Sequence, residues 1–246
     1  MMEHETSPAS DRRGVFDCFT TSDALHINQA RLDHLASLGL DLASKRVLEV
    51  GAGIGLHTPF FLARGCTVVV TDGNPENVIE ARRRLPLVDV RVLDLEQTLG
   101  LEGFGRFDLV YCYGLLYHLR SPDETLRRFA SMCDGQILLE TCVALGEHSE
   151  LHLIRDFTGN NQAISGIGCR PTRAWVMDAL RRHFGHAYLT RTQPDHPDFQ
   201  TDWALVDTRL AYRAVFVGSK MALNLSSLTE RVPQVQPPLG QHTVSA

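Results

Sequence analysis

The sequence predicts an α/β fold in a single domain, with a seven-stranded, mostly parallel sheet, an antiparallel last strand and helices on both faces. The chain has 246 residues, of which 43% are hydrophobic, and this is enough to bury the core of one domain. Short apolar runs alternate with stretches of helical period, and glycine or other turn signals separate them. This alternation is typical of a parallel sheet whose strands are joined by helical crossovers.

The predicted strands are short apolar runs, several of them closed by a glycine or an acidic residue. The first five lie at residues 46–50, 67–71, 88–93, 107–112 and 136–140. Two further strands follow at residues 186–192 and 212–218. Continuous apolar character in the early strands predicts that the sheet is covered on both faces.

The predicted helices are placed by capping residues and by the spacing of apolar side chains. A helix is predicted at residues 22–38, where leucines recur at near-helical spacing before a glycine. Two more are predicted to start at Asn74 and Ser121, because each of these capping side chains precedes a proline. A fourth is predicted at residues 172–184, closed by Gly185.

The charge and cysteine content of the chain indicate which binding partners and which cellular compartment to expect. With 24 Lys and Arg against 29 Asp and Glu, the formal net charge is -5, so the chain lacks the overall basic field that attracts nucleic acid. Six cysteines without a CxxC pair predict reduced thiols in the cytoplasm. The acidic, polar N-terminus lacks the pattern of a secretory signal, and no apolar segment is long enough for a bilayer, so no membrane partner is expected.

The residues that follow the strands are the candidate site, because ligands of open parallel sheets bind at the carboxyl ends of the strands. The first strand ends in E-V-G-A-G-I-G at residues 49–55, and Asp72, Asp94 and Tyr113 end or follow the second, third and fourth. A dinucleotide-binding turn would have its third glycine where this chain has Leu56, so NAD and FAD are disfavoured. The phosphate-binding loop of P-loop NTPases is also absent from the sequence.

This order of motifs resembles the class I S-adenosylmethionine-dependent methyltransferases, which have a Rossmann-like fold. The resemblance extends most closely over residues 45–141. It implies S-adenosylmethionine as the cofactor, S-adenosylhomocysteine as its product, and a methyltransferase domain at residues 45–220. The rest of the chain is then assigned to a helical lid at residues 15–44 and to flexible tails at residues 1–14 and 221–246.

The resemblance also implies a role for each residue at the strand ends. The backbone of residues 51–55 would run along the amino-acid and ribose portion of the cofactor, where a side chain would block its approach. Asp72 would accept hydrogen bonds from both ribose hydroxyls, and Asp94 would meet the adenine amino group. Leu95 would contact the adenine ring, and Glu49 would orient the loop or meet the methionine ammonium. The predicted cofactor residues are Glu49, Gly51, Ala52, Gly53, Gly55, Asp72, Gly73, Asp94, Leu95 and Tyr113.

The segment after the fourth strand is the candidate acceptor site. It reads G-L-L-Y-H-L-R-S-P at residues 114–122 and is similar to the corresponding segment of small-molecule methyltransferases, with a local similarity to the tRNA wobble-uridine carboxymethyltransferase family. His118 is the leading candidate for a catalytic base, because imidazole titrates near neutral pH. A structural histidine is the alternative that stays open. Tyr113 is expected to line the site or orient the acceptor, and Glu140 to bind substrate or His118.

The sequence therefore predicts transfer of a methyl group to an oxygen or nitrogen of a small molecule by in-line displacement. Two alternatives stay open: an RNA-modifying methyltransferase or carboxymethyltransferase that acts on tRNA, and a non-catalytic S-adenosylmethionine-binding module. No metal is expected, because Glu147, His148 and His152 lie in a polar segment that is more typical of a loop. The segments at residues 142–170 and 193–203 are candidate lids, specificity loops or dimer contacts, and a homodimer is left open.

Overall fold

The computed structural model describes residues 14–97, 103–156, 163–205 and 212–240, so most of the predicted tail at residues 1–14 and the end of the other tail lie outside the described residues. The helices are α1 (Asp17–Thr20), α2 (Ser22–Ser37), α3 (Thr58–Leu62), α4 (Pro75–Arg84), α5 (Pro122–Met132) and α6 (Arg173–Phe184), with 3₁₀ turns at Gly14–Phe16 and Leu116–His118. The strands are β1 (Arg46–Val50), β2 (Thr67–Asp72), β3 (Asp89–Val92), β4 (Phe107–Tyr113), β5 (Cys133–Val143), β6 (Leu151–Arg155), β7 (Ile167–Pro171), β8 (His186–Thr190), β9 (Tyr212–Ser219) and β10 (Leu228–Thr229). Within the described ranges, no helix is long and apolar enough to cross a membrane.

Eight of these strands form one sheet in the order β10-β8-β9-β5-β4-β1-β2-β3. The pairs β1–β2, β1–β4, β2–β3 and β4–β5 are parallel. β9, which corresponds to the last strand of the prediction, runs antiparallel to both β5 and β8. The predicted fold class is therefore confirmed. The eighth strand, β10, is not predicted from the sequence, because its two residues are too few to show an apolar period.

Helices pack on both faces of the sheet because alternate residues of each central strand point into different cores. On β1, Val47 and Leu48 belong to two separate clusters of buried side chains. The cluster around Val47 contains Leu35 of α2, and the cluster around Leu48 contains Phe129 of α5. The near-continuous burial of the strands follows from this double cover.

The predicted helix starts are largely confirmed, with differences in the capping residues. Asn74 caps α4 and Thr172 caps α6 through side-chain oxygens that accept backbone N–H bonds. The cap of α2 is Thr21, directly before residue 22, where the sequence predicts the start of this helix. Ser121 makes no side-chain capping bond, so the prediction of its capping role is wrong, although α5 begins directly after it.

Residues 221–240 are not the flexible tail that the sequence predicts. β10 pairs with β8, and the fully buried Gln236 donates from its side-chain amide to the carbonyl oxygen of Thr190 at 2.6 Å. The same segment holds the loop at residues 193–203, where the backbone N–H of Trp203 donates to the carbonyl oxygen of Gln234 at 2.9 Å. The prediction was wrong here because the segment covers a sheet edge that would otherwise leave backbone groups unpaired.

The long connection between β5 and α6 contains an antiparallel hairpin of β6 and β7, while residues 157–162 within it lie outside the described part of the chain. Gly168 allows β7 to pass close to the 3₁₀ turn that follows β4. A Cβ at this position would lie 2.5 Å from the backbone oxygen of Tyr117. The hairpin thereby carries Asp156 and Arg170 to the carboxyl edge of the sheet.

Candidate active site

A cavity of about 790 Å³ opens at the carboxyl ends of β1, β2 and β4. The chain passes from β1 outward to β2 and β3 and then returns to β4 on the other side, so this is the point where the strand order reverses. Most of the predicted site residues line its wall: Glu49, Gly51, Ala52, Gly53, Asp72, Gly73, Asp94, Leu95, Tyr113 and His118. The predicted Gly55 and Glu140 lie outside this wall.

The turn after β1 presents backbone to the cavity. Gly51 and Gly53 adopt φ angles of +63° and +56°, in the left-handed region that side chains disfavour. A Cβ at Gly53 would also lie 2.5 Å from the ring of Phe19, which packs over the turn from α1. Gly55 shares this conformation, with a φ of +78°, and a Cβ there would lie 2.6 Å from the side chain of Leu85.

Asp72, at the end of β2, organises the same turn. Its Oδ2 accepts the Gly53 N–H at 2.8 Å, and its Oδ1 accepts the Asn74 N–H at 2.8 Å and the Asn77 side-chain amide at 3.1 Å. Burial raises the pKa of Asp72, and these three hydrogen bonds oppose that rise. A carboxylate has about four acceptor sites, so Asp72 keeps capacity to accept a further bond from a ligand.

Glu49 is buried on β1 beside the glycine turn, and its Oε2 accepts the Thr58 hydroxyl at 2.7 Å. Burial raises the pKa of Glu49 to about 7, against the opposing effect of the Thr58 hydrogen bond. A carboxyl group with a pKa near neutrality responds strongly to a cation placed beside it. The contact with Thr58 links the glycine turn to α3. The position of Glu49 in the cavity wall suits contact with an ammonium group.

The end of β3 combines a carboxylate with apolar surface. Asp94 accepts a backbone N–H from the next turn and the side-chain amide of Gln97, both at 3.0 Å. Leu95 is buried in the wall, and a Cβ at Gly73 would lie 2.5 Å from the side chain of Ile164. A flat heteroaromatic ring would suit this place, because Leu95 and Ile164 offer apolar contact to its faces and Asp94 offers a hydrogen-bond acceptor to its edge.

Tyr113, at the end of β4, carries a buried hydroxyl without a hydrogen-bond partner among the described residues. Its ring stacks on Tyr111 with centroids 4.4 Å apart, and the Tyr111 hydroxyl in turn contacts Nδ1 of His57 at 2.9 Å. Burial raises the pKa of Tyr113 well above its ordinary value, so the hydroxyl stays protonated. An orphaned donor of this kind is costly unless a bound molecule satisfies it, which fits a ligand in this cavity.

His118 lies in the cavity wall and is held by Asp156. Its Nδ1 lies 2.6 Å from Oδ2 of Asp156, and both side chains are almost fully buried. Burial lowers the pKa of His118, while the carboxylate opposes that change. The imidazole is therefore neutral at pH 7, and the tautomer that donates from Nδ1 to Asp156 leaves Nε2 as a proton acceptor.

Glu140, fully buried at the end of β5, binds two arginines instead of His118. Its Oε2 lies 2.8 Å from Nη2 of Arg31 on α2, and its Oε1 lies 2.9 Å from Nη1 of Arg213 on β9. Burial alone would raise the pKa of Glu140, but the two guanidinium groups hold it below its usual value. The predicted contact with His118 is wrong because both carboxylate oxygens are occupied by arginines.

Several charged residues of the site lie in no motif that the sequence displays. They come from α2, from the two ends of the β6–β7 hairpin and from β9, and they are Arg31, Asp156, Arg170 and Arg213. One signal was available for Arg213, since a charge inside an apolar strand requires a partner. The candidate metal spacing at residues 147–152 is not helical, and the described residues hold no group of three or more metal-ligating side chains.

Comparison with known proteins agrees with this geometry. Residues 24–199 match the methyltransferase domain family. The ubiquinone biosynthesis O-methyltransferase of Xanthomonas oryzae pv. oryzae (strain PXO99A) is 37% identical over 121 residues, which are 47% of this chain and 50% of that protein. The tRNA U34 carboxymethyltransferase of Alcanivorax borkumensis is 35% identical over 132 residues, which are 50% of this chain and 39% of that protein. The chain thus spans half or less of the length of these two relatives.

A solved structure links the fold to a ligand. The N-terminal domain of EvdMO1, crystallised with SAH bound, superposes with a TM-score of 0.58 at 26% identity, over 78% of this chain and 80% of that one. In this chain the glycine turn, the strand-end carboxylates and the orphaned Tyr113 hydroxyl lie together in one cavity. The family match covers more than half of the chain, so the protein belongs to the methyltransferase domain family.

Proposed function

We propose that the chain transfers the methyl group of S-adenosylmethionine to a hydroxyl oxygen of a small molecule, with His118 as the general base. The observation that carries this proposal is the 2.6 Å contact between His118 Nδ1 and Asp156 in the cavity wall. A hydroxyl must lose its proton as it attacks the methyl group, and a positioned base accelerates such a step by about 10²–10⁴-fold. A neutral imidazole oriented by a buried carboxylate suits this task.

The cofactor, when bound, supplies an electrophilic methyl group on a sulfonium. In the proposed arrangement, the backbone at Gly51 and Gly53 lies along its amino-acid portion, where a side chain would collide. Asp72 accepts one ribose hydroxyl with the acceptor site that its three hydrogen bonds leave. Asp94 and Leu95 take the adenine, one at the edge of the ring and the other at its face.

The acceptor lies on the side of the cavity formed by β4 and the following turn. Tyr113 donates a hydrogen bond there, because its hydroxyl stays protonated and lacks a partner within the described chain. The segment at residues 15–44 acts as a lid over this space. Its role is supported by Phe19, which packs over Gly53, and by Arg31, which reaches the cavity wall. Exclusion of water by such a lid protects the transferred methyl group from hydrolysis.

A small acceptor is favoured over RNA by charge and by the way the arginines of the wall are used. The net charge of the chain is -5, and two of these arginines bind the buried Glu140. The similarity to an O-methyltransferase supports oxygen as the acceptor atom. The similarity to a tRNA carboxymethyltransferase makes RNA the second candidate, and it is tested beside the first.

The test is a labelled-methyl assay followed by one substitution. Phenols, catechols, hydroxy acids, amines and bulk tRNA are incubated with the protein and methyl-labelled S-adenosylmethionine. With the acceptor that is methylated, His118→Ala should lower kcat by about 100-fold or more, while its affinity for S-adenosylhomocysteine stays within about twofold. His152→Ala, an exposed histidine on β6, is the matched control. Methylation of tRNA alone, or turnover that survives His118→Ala, contradicts the proposal.

A further inference from the structure

Arg170, at the end of β7, differs from the other arginines in the cavity wall because it has no carboxylate partner. Arg31 and Arg213 both bind Glu140, and Arg213 also lies 3.5 Å from Asp198. Within the described part of the chain, no carboxylate oxygen lies within 4.0 Å of the Arg170 guanidinium. Arg170 is partly buried, and a bound anion would supply the counter-charge that this guanidinium lacks.

The hydrogen bonds of Arg170 leave one edge of its guanidinium unused. Both bonds use Nη1, which donates to the carbonyl oxygen of Cys169 at 2.8 Å and to that of Tyr117 at 3.4 Å. Nε is buried and has no partner among the described residues. The edge formed by Nε and Nη2 is the one that binds a carboxylate through two parallel N–H bonds.

The guanidinium group of Arg170 lies close to the proposed base, with the Tyr117 ring next to both. Its guanidinium carbon lies 5.2 Å from the ring centroid of Tyr117, and the Tyr117 and His118 rings lie 4.0 Å apart. Arg213 lies over the same Tyr117 ring, also at 5.2 Å. An acceptor held at Arg170 therefore presents its other end to His118 within the dimensions of one small molecule.

We infer that the acceptor carries a carboxylate group, which Arg170 binds beside the hydroxyl that is methylated. This inference rests on the proposed function, because it names the substrate class of the same site: a hydroxy acid. A carboxylate is preferred to other anions because its two coplanar oxygens match the Nε–Nη2 edge, and because Arg, unlike Lys, binds such a group with two bonds. The arginine thereby determines which hydroxyl compounds the enzyme accepts.

The test uses a charged probe and a neutral probe of the same shape. Benzoate and benzamide are titrated by calorimetry or ligand-observed NMR into the protein saturated with S-adenosylhomocysteine, up to about 20 mM. The wild type should bind benzoate at least about tenfold more tightly than benzamide, since charge-assisted hydrogen bonds are about twice as strong as neutral ones. Arg170→Gln should reduce this ratio to within about twofold, and Arg170→Lys should keep part of it.

Arg155→Gln is the matched control, because Arg155 is an exposed arginine on the partner strand of the same hairpin. It should keep the wild-type preference for benzoate. Equal binding of the two probes by the wild type, no detectable benzoate binding, or a preference that survives Arg170→Gln would overturn the inference. Unchanged affinity of each variant for S-adenosylhomocysteine verifies that the fold is intact.

Kinetics with the acceptor found in the labelled-methyl assay separate this inference from the proposed function. Arg170→Gln should raise the KM for that acceptor by about tenfold and change kcat by less than about threefold, since it removes a binding contact. His118→Ala should lower kcat instead. If Arg170→Gln leaves KM unchanged while His118→Ala lowers kcat, the carboxylate group of the acceptor is rejected and His118 is retained as the base. If Arg170→Gln raises KM while His118→Ala leaves kcat unchanged, His118 is rejected as the base. An acceptor without an anionic group rejects the inferred carboxylate directly.

Discussion

The two halves of the cavity are built in different ways. In the cofactor half, the partners are close in sequence: Glu49 and Thr58 are 9 residues apart, and Gly53 and Asp72 are 19 apart. In the acceptor half, the wall residue Arg31 is 109 residues from Glu140, the carboxylate outside the wall that it binds. The first half is thus a local motif at consecutive strand ends, and the second is assembled by packing.

The halves also differ in how their carboxylates are held. Asp72 is held by the N–H groups of two backbone amides and one side-chain amide, all of which are uncharged. Glu140 is held by two guanidinium groups and has no contact with solvent. Removal of a neutral network costs moderate free energy, whereas removal of one member of a buried ionic network leaves uncompensated charge. The difference predicts that the acceptor half is the more fragile.

The largest expected effect is on stability. Glu140→Ala should lower the free energy of unfolding by about 3–5 kcal/mol, because it leaves Arg31 and Arg213 buried without their counter-charge. Urea denaturation followed by circular dichroism measures this change. The control is Glu124→Ala, which removes an exposed partner of Arg127 and should change stability far less. Equal effects of the two substitutions would mean that the buried network does not hold the acceptor half together.

The next effect concerns the cofactor half. Asp72→Ala should weaken binding of S-adenosylhomocysteine by more than about tenfold, or about 1.4 kcal/mol, because it removes the ribose acceptor and loosens the glycine turn. Calorimetry measures the change. The control, Asp89→Ala, removes an exposed acid that pairs with Arg91 on β3 and should leave the affinity unchanged.

A ligand lacking one ribose hydroxyl separates the two contributions of Asp72. The wild type should lose affinity for this analogue relative to S-adenosylhomocysteine, whereas Asp72→Ala should bind both alike. If the variant still discriminates between the two ligands, Asp72 shapes the turn without binding the ribose.

The same contrast explains what sequence analysis can reach. Sequence analysis predicts the strands, the glycine turn and Asp72, because apolar period, glycine spacing and strand ends are local properties of the sequence. The contact that places the β6–β7 hairpin joins Gly168 to the backbone of Tyr117, which is distant in sequence, so local patterns do not predict it. The partners of Glu140 depend on the position of α2 over the sheet, so its predicted contact with His118 was wrong. The tail prediction failed for residues 221–240 because their polar composition hides a role as edge cover.

The smallest expected effect is a shift in the titration of His118, and it tests whether the acceptor half tunes its own base. The pKa of His118 lies below its ordinary value because burial outweighs the effect of Asp156, which favours the charged form. Asp156→Asn removes the opposing carboxylate, so the pKa of His118 should fall further, and the acid limb of the kcat profile should move to lower pH. The plateau rate should fall as well, since a weaker base accepts the proton less readily. NMR titration of the His118 ring measures the pKa without an acceptor. The control is Asp178→Asn on α6, where the side chain is 44% exposed. A pKa that stays constant or rises in Asp156→Asn would show that Asp156 orients the ring without affecting its charge. The carboxylates of the acceptor half, like those of the cofactor half, would then position neighbouring groups without changing their charge.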